Sequence, residues 1–333
     1  MNDSVHLVYG TDDNYIFPTA VSAASAAWYA RDNTKLVIHL FDLGVSDDHY
    51  KEYCEIIYKA SDTVKLERHK LNQEMFAGFG AWKGSLVTYS RMMMAEILNG
   101  IDWAIYFDGD TLWLGDPGEL WKLRDDSKTI LASIDPPTPS GKESEEFKWY
   151  KDNGLEVDSD SYLCMGLMLA NLKKMRSENI AERCRLFMKL YPAPRVVDQT
   201  VLNYVCKGCM KALPAQWGVF SVWHKNVDLS LPSAVHYVSD VPWRREKINR
   251  LFSDVIMLWF DFCKYVLQKN QLNNFNGWTF RVKRLIFLFL KKNQWLLHLH
   301  PFLLSRLRNT HGINKVVYKN IVRGWKNYGR TKA

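Results

Sequence analysis

Nowhere in the 333 residues does an uncharged apolar run reach the ~18 residues that a membrane-spanning helix requires. The opening MNDSVHLVYG lacks the basic-then-apolar order of a secretory signal and leads straight into a strand-like run. Cysteine is scarce and scattered, at 54, 164, 184, 206, 209 and 263, which is no disulfide framework for a chain this long. A reducing, cytoplasmic setting is the expectation. Internal repeats and long stretches of disordered composition are missing too. Acid is nearly absent from one end: residues 241–333 hold 19 Lys and Arg against 3 Asp and Glu, whereas the other 240 residues hold 25 against 33. A slightly acidic body thus carries a strongly basic tail, a split that points to an anionic partner, nucleic acid or a membrane surface.

What is present is apolar residues in quantity. At 47% hydrophobic, the chain can bury a large core as one domain or one domain with an appendage. VHLVYG (5–10) and KLVIHLF (35–41) have strand length, and the small-residue segment PTAVSAASAAWYA between them reads as a helix able to lie close on a sheet, with Pro18 in its first turn. A second helix is expected at 46–60, capped by Ser46 with Asp47 and Asp48 behind it. A strand follows at 63–68, then a helix at 85–98 capped by Ser85, the buried strand of IDWAIYF, and a strand at 129–134. Such alternation predicts an α/β fold with a mostly parallel sheet and helices on both faces. Residues 136–161, rich in Pro, Gly, Ser and charge, break the rhythm and form either an active-site lid or a passive excursion. YLCMGLMLANL reads as a further strand, with helices near 178–190 and 198–206 and a short strand at 234–238. Cys206-x-x-Cys209 lacks two further zinc ligands nearby and reads as a helix end with a glycine turn at Gly208.

From 247 to 328 the pattern changes. LFSDVIMLWFDFCKYVL, WTFRVKRLIFLFLKK and WLLHLHPFLLSRLR interleave aliphatic and aromatic residues with Lys and Arg. Helices lying in a membrane interface, basic residues toward anionic headgroups, satisfy that pattern, and so do amphipathic helices packed on the core. The long aliphatic stretches make poor solvated surface, so nucleic acid is not the expected partner.

The chemistry-bearing signal is Asp108-Gly109-Asp110 after the apolar run AIYF. Open α/β sheets bind ligands at the carboxyl ends of their strands, and two carboxylates separated by a glycine can face one hard cation, Mg²⁺ or Mn²⁺, with diphosphate oxygens completing its shell. Asp-x-Asp-x-Thr also opens the active site of haloacid-dehalogenase-type phosphatases. That motif belongs on the first strand of its domain, however, and about four strands precede this one.

Several further segments, taken together over residues 5–243, resemble the glycosyltransferase family 8 pattern, that of bacterial lipooligosaccharide galactosyltransferases and of glycogenin. They are Thr11-Asp12-Asp13-Asn14-Tyr15 after the first strand, Tyr89-Ser90-Arg91, Asp135 ending ASID, Val197-Asp198-Gln199, and His236 in AVHYVSDVPW. The resemblance implies a GT-A type domain over 1–243; the basic, aromatic-rich 244–333 is read from its own pattern as a helical region at the membrane surface. It gives Asp12 to the uracil edge, Asn14 to the ribose side and Tyr15 to stacking on the base. Arg91 would hold the donor near the metal aspartates; Asp108, Asp110 and His236 would bind the cation. Asp135 and Asp198 would face the donor sugar, with Gln199 on its reacting face. Two departures stand out: Cys164 where the family has Asn in Tyr-Phe-Asn-x-Gly, and Val241 where it has a lysine on the diphosphate.

The function so implied is retaining transfer of a hexose from a UDP-sugar to a hydroxyl of a cell-surface glycan or glycolipid, dependent on Mn²⁺ or Mg²⁺, at the inner face of the cell membrane. A degenerate nucleotide-sugar-binding protein is the alternative that Cys164 and Val241 keep open.

Overall fold

A computed structural model describes residues 4–82, 84–135, 144–158, 161–192, 194, 196–220, 232–238, 241–243, 254–269 and 315–331. The chain divides into two compact units, Met1–Gly218 and Val219–Ala333.

The first unit is built on a seven-stranded sheet. Its strands are β1 (Val5–Thr11), β2 (Leu36–Asp42), β3 (Lys65–Lys70), β4 (Trp103–Phe107), β6 (Ile130–Ile134), β7 (Leu163–Asn171) and β8 (Met210–Ala212). The order β3-β2-β1-β4-β7-β6-β8 is parallel from β3 to β4 and again between β6 and β8; β7 alone runs against its neighbours. Strands β1, β4 and β7 are apolar along both faces and almost wholly buried, as the centre of a sheet covered on both sides requires. β3 (KLERHK) is polar and partly exposed, which suits an edge. The mixed α/β sheet bears out the expected fold class.

Helix α1 (Ile16–Tyr29) buries Ala20, Ala23, Ala24, Ala26 and Ala27. Its serines bury as well, and their hydroxyls are all engaged. Ser22 Oγ donates to Tyr9 Oη (3.0 Å) and lies 2.6 Å from Thr111 Oγ1, while Ser25 Oγ accepts from the Trp113 amide (2.9 Å). The helix is thereby fastened to the short strand β5 (Thr111–Trp113) that leaves the Asp-Gly-Asp turn. Helix α2 (Asp47–Ala60) starts as expected, Ser46 Oγ accepting from the His49 amide.

Other expectations shift. The strand placed at 63–68 lies at Lys65–Lys70. The helix expected at 85–98 is a 3₁₀ helix over Val87–Met93 followed by the short α3 (Met94–Ile97), and Ser85 is not its N-cap. The tighter winding stacks residues three apart, a geometry the site uses. Short α4 (Pro117–Trp121) precedes β6, and within the 136–161 segment lies α5 (Glu145–Asp152), capped by Ser144 Oγ on the Phe147 amide. Helices α6 (Leu172–Ser177), α7 (Ile180–Leu190) and α8 (Val197–Val205) follow β7. After α8, Gly208 turns the chain at φ +83°, and Cys209 Sγ donates to the Cys206 carbonyl, so this pair closes a turn. All six cysteines are free thiols.

In the second unit, β9 (Val219–Phe220) and β10 (Ala234–His236) pair in parallel. Helix α9 (Asp254–Tyr265) buries Val255 through Phe260, Phe262 and Cys263, and packs against α10 (Lys315–Thr331) through Phe262 on Trp325. The apolar side of LFSDVIMLWFDFCKYVL is therefore spent within the protein. The segments WTFRVKRLIFLFLKK and WLLHLHPFLLSRLR lie outside the described residues. Among the described residues no helix is long and apolar enough to cross a membrane.

Candidate active site

The site is organised by one buried guanidinium. Arg91 lies on the 3₁₀ helix and is 6% exposed. Its Nη2 donates to Asp108 Oδ1 at the end of β4 (2.6 Å), and its Nη1 to the Met165 carbonyl on β7 (2.7 Å). Its Nε lies 2.9 Å from Asp198 Oδ2 as an ion pair without hydrogen-bond alignment. The Tyr106 ring lies 4.5 Å from the guanidinium carbon. Burial disfavours the Arg91 charge, but the Asp108 and Asp198 carboxylates outweigh it and hold the group protonated.

Asp198 occupies the first turn of α8, yet it does not cap it: Val196 is the N-cap, without a side-chain bond. The carboxylate instead accepts from Thr88 Oγ1 and pairs with Arg91. Thr88 and Arg91 are three residues apart, and the 3₁₀ winding puts both on the face turned toward Asp198. Burial is the largest influence on Asp198 and pushes its pKa up to about 6, with Arg91 and the Thr88 hydroxyl opposing.

Gln199, the next residue, is held at both ends of its amide. Its Nε2 donates to Asp135 Oδ2 (2.9 Å) and its Oε1 accepts from the Met165 amide (3.1 Å). β7 makes this possible by leaving register with β6: Ala132 pairs with Met168, but Ser133 pairs with Cys164. Both backbone groups of Met165 thus serve site side chains, and the Gly166 carbonyl accepts from the Asp108 amide (2.8 Å). In this segment main-chain groups make these hydrogen bonds to the site.

At the turn after β4, Asp108 and Asp110 offer carboxylate oxygens within 4.8 Å of each other. Gly109 between them is dictated by α1: a Cβ there would lie 2.3 Å from Thr19 Oγ1 and 3.3 Å from Thr19 Cα. Thr111 Oγ1 donates to the Asp108 carbonyl (2.7 Å), closing the turn.

The turn after β1 holds Asp12, Asn14 and Tyr15. Asp12 accepts from the Asn14 amide (3.0 Å) and from Ser85 Oγ (2.8 Å), Asn14 is exposed, and Tyr15 is the half-buried N-cap of α1. Ser85, expected as a helix cap, thus ties the 3₁₀ segment to this turn. His236 ends β10 in the second unit, 8% exposed and stacked on Phe220.

Glu146 escaped the sequence reading. It lies on α5, 7% exposed, and accepts from Thr200 Oγ1 on α8 (2.6 Å) and from Tyr162 Oη. Burial pushes its pKa up to about 7. The Ser-Glu-Glu opening before FKWY was the available signal for this helix.

The family model for Glycosyl transferase family 8 matches residues 6–247, and the chain belongs to that family. A putative glycosyltransferase of Haemophilus influenzae is 35% identical over 128 residues, 38% of this chain and 37% of the relative. A lipopolysaccharide 1,3-galactosyltransferase of Salmonella typhimurium is 25% identical over 214 residues, 60% of this chain and 59% of that protein. The chain therefore matches only part of the length of these relatives. Among solved structures, the galactosyltransferase LgtC in complex with donor and acceptor sugar analogues aligns with TM-score 0.60 at 23% identity, over 73% of this chain and 90% of that one. That likeness gives the GT-A fold.

Proposed function

We propose that this family 8 glycosyltransferase moves a hexose, with retention of anomeric configuration, from a UDP-sugar to a hydroxyl of a cell-surface glycan or glycolipid of lipopolysaccharide, lipooligosaccharide or capsule type. The observation that carries the reading is the buried Arg91, which joins the Asp-Gly-Asp turn to Asp198 at the head of α8. A buried charge pair of this kind is a poor stabiliser, so its value lies in fixing two carboxylates relative to each other. The names of the Salmonella relative and of LgtC support a sugar donor and a glycan acceptor.

In this reading Asp12, Asn14 and Tyr15 receive the nucleoside. Asp108 and Asp110 are hard oxygen donors that would hold Mn²⁺ or Mg²⁺. His236 is the third ligand, a role that rests on the AVHYV segment. A bound cation supplies positive charge against the leaving diphosphate. Asp198 and Asp135 stabilise positive charge developing on the sugar ring. Gln199, clamped between Asp135 and Met165, presents its amide to the reacting face. With no carboxylate of the set assigned as a covalent nucleophile, the acceptor hydroxyl attacks from the face the diphosphate leaves, and the leaving phosphate takes the proton.

The domain then extends over 1–243. The basic, aromatic-rich 244–333 region associates with an anionic membrane surface at the cytoplasmic face, and flotation with anionic liposomes measures this. Transfer of labelled hexose from a panel of UDP-sugars to a membrane-extract acceptor, with Mn²⁺ or Mg²⁺, tests the activity. Full transfer by the double variant Asp108→Ala, Asp110→Ala sinks the metal assignment. A binding protein without transfer is favoured by one observation: Val241, buried at 8% exposure, stands where the family has its diphosphate lysine. Donor binding with no transfer under any condition selects that reading.

A further inference from the structure

A second group of ligating side chains sits on the first unit's sheet, on strands β1, β2 and β3, and none belongs to the proposed active site. The parallel register pairs His6 with Val37, His39 with Glu67, and Phe41 with His69. Because side chains alternate along a strand, His6, His39, Glu67 and His69 all project from one face. His39 lies at the centre, 1% exposed. Its Nδ1 is 3.0 Å from His69 Nε2 and 3.2 Å from Glu67 Oε2, and those two atoms are 3.9 Å apart.

Three lone-pair atoms thus converge on one point. A neutral imidazole nitrogen carries at most one hydrogen, so His39 Nδ1 can serve both neighbours only by sharing that hydrogen between them. A tetrahedral ion with bonds of ~2.0–2.1 Å sets its ligand atoms ~3.3–3.4 Å apart, and the observed separations bracket that value. The surroundings complete the picture. His39 Nε2 lies 3.0 Å from His6 Nδ1, so a proton on Nε2 would be donated outward and Nδ1 left to the metal. Lys65 Nζ holds the other Glu67 oxygen at 2.5 Å. The side chains of His69 and Glu67 are 26% and 32% exposed, which opens a fourth position to water and a path of entry.

We propose that His39, Glu67 and His69 bind a zinc-class divalent cation through Nδ1, Oε2 and Nε2, with His6 as the positioning residue for His39. Two imidazoles and one carboxylate select zinc over Mg²⁺, in contrast to the oxygen pair at Asp108 and Asp110. β3 is an edge strand with little apolar surface, and the cation cross-links it to β2. The proposal does not depend on the transferase reading.

The test uses the full chain carrying Asp110→Ala, stripped with chelator and titrated with Co²⁺ or Zn²⁺, following absorption, calorimetry and thermal unfolding. One equivalent is expected to bind with a four-coordinate cobalt spectrum free of thiolate charge transfer, and to raise the unfolding temperature. His69→Ala and the near-isosteric Glu67→Gln should each weaken binding by at least ~10-fold, and His6→Ala by ~10–100-fold as an outer-shell loss. Glu67→Gln keeps volume and sits at the surface, so its result does not hinge on folding. Absence of binding in the stripped protein overturns the proposal, and so does undiminished binding in both ligand variants.

Discussion

Arg91→Met should destabilise the fold by about 3–5 kcal/mol, because it leaves the buried Asp198 carboxylate without its counter-charge. The side chains of Arg91 and Asp198 are 7% and 4% exposed, and the pair is separated by 2.9 Å. Asp108 is better placed to recover, since its side chain is 24% exposed and water can replace the guanidinium. The Met165 carbonyl also loses its 2.7 Å partner, a defect of about 1–3 kcal/mol when no substitute arrives. The pH dependence separates this explanation from simple loss of packing. Asp198 already has its pKa raised to about 6, so the folded state holds that proton more tightly than the unfolded chain. Its contribution to stability therefore falls as pH rises from the ordinary carboxylate value to about 6, and is flat above. Removing Arg91 removes the largest opposing influence, raises the folded pKa further, and extends the falling window through neutrality. Glu146 titrates in both proteins and cancels in the difference. Urea unfolding followed by circular dichroism at pH 5 and pH 8 should show a larger loss at pH 8. Adding Asp198→Asn to the variant should restore ~2 kcal/mol or more there. A loss below ~1 kcal/mol, or an equal loss at both pH values, would refute the assignment of Arg91 as the counter-charge.

Gly109→Ala forces a Cβ to 2.3 Å from Thr19 Oγ1 and should cost about 1–3 kcal/mol, with Thr19→Ala relieving part of the penalty in a double-mutant cycle; strict additivity would contradict the contact. Glu146→Gln removes a carboxyl whose pKa is about 7 in the fold, so the variant should lose Glu146's share of the decline in stability as pH rises from about 4.5 to 7, up to ~1.4 kcal/mol per pH unit in urea titrations, and keep the share due to Asp198. Gln199→Ala unlatches Asp135 and should lower kcat by about 10²-fold while UDP affinity, measured by calorimetry, stays within about threefold.

The sheet was legible because its strands are long apolar runs separated by capped helices, and Ser46 and the small-residue α1 were read with their physical roles. Boundaries moved where polar strands such as β3 carry little pattern. Asp108 and Asp110 stood out because they follow a buried apolar strand, whereas Asp198 and Gln199 were reached through the family resemblance. Thr88 and Glu146 did not. Thr88 acts only because a 3₁₀ winding aligns it with Arg91, and periodicity at 3.6 residues hides that alignment. Glu146 lies in a stretch whose Pro, Gly and charge masked an eight-residue helix. The contribution of Met165 was invisible in principle, since main-chain groups have no letter in the sequence.

Several local rules are broken around Val197 in the first unit. Val197, a β-branched residue, holds φ at +26° immediately before Asp198 and Gln199. Such a conformation costs of order 1–3 kcal/mol and persists only where the surroundings over-determine it. Beside it β7 slips register with β6, the 3₁₀ helix replaces an α-helix, and Asp198 and Glu146 stay buried with raised pKa values. Two of these departures deliver a group to the Arg91–Asp198–Gln199 cluster: the slip frees Met165, and the 3₁₀ turn aligns Thr88. A sequence selected for stability alone would have relaxed these independently. Their coincidence is what a site held to a fixed geometry requires.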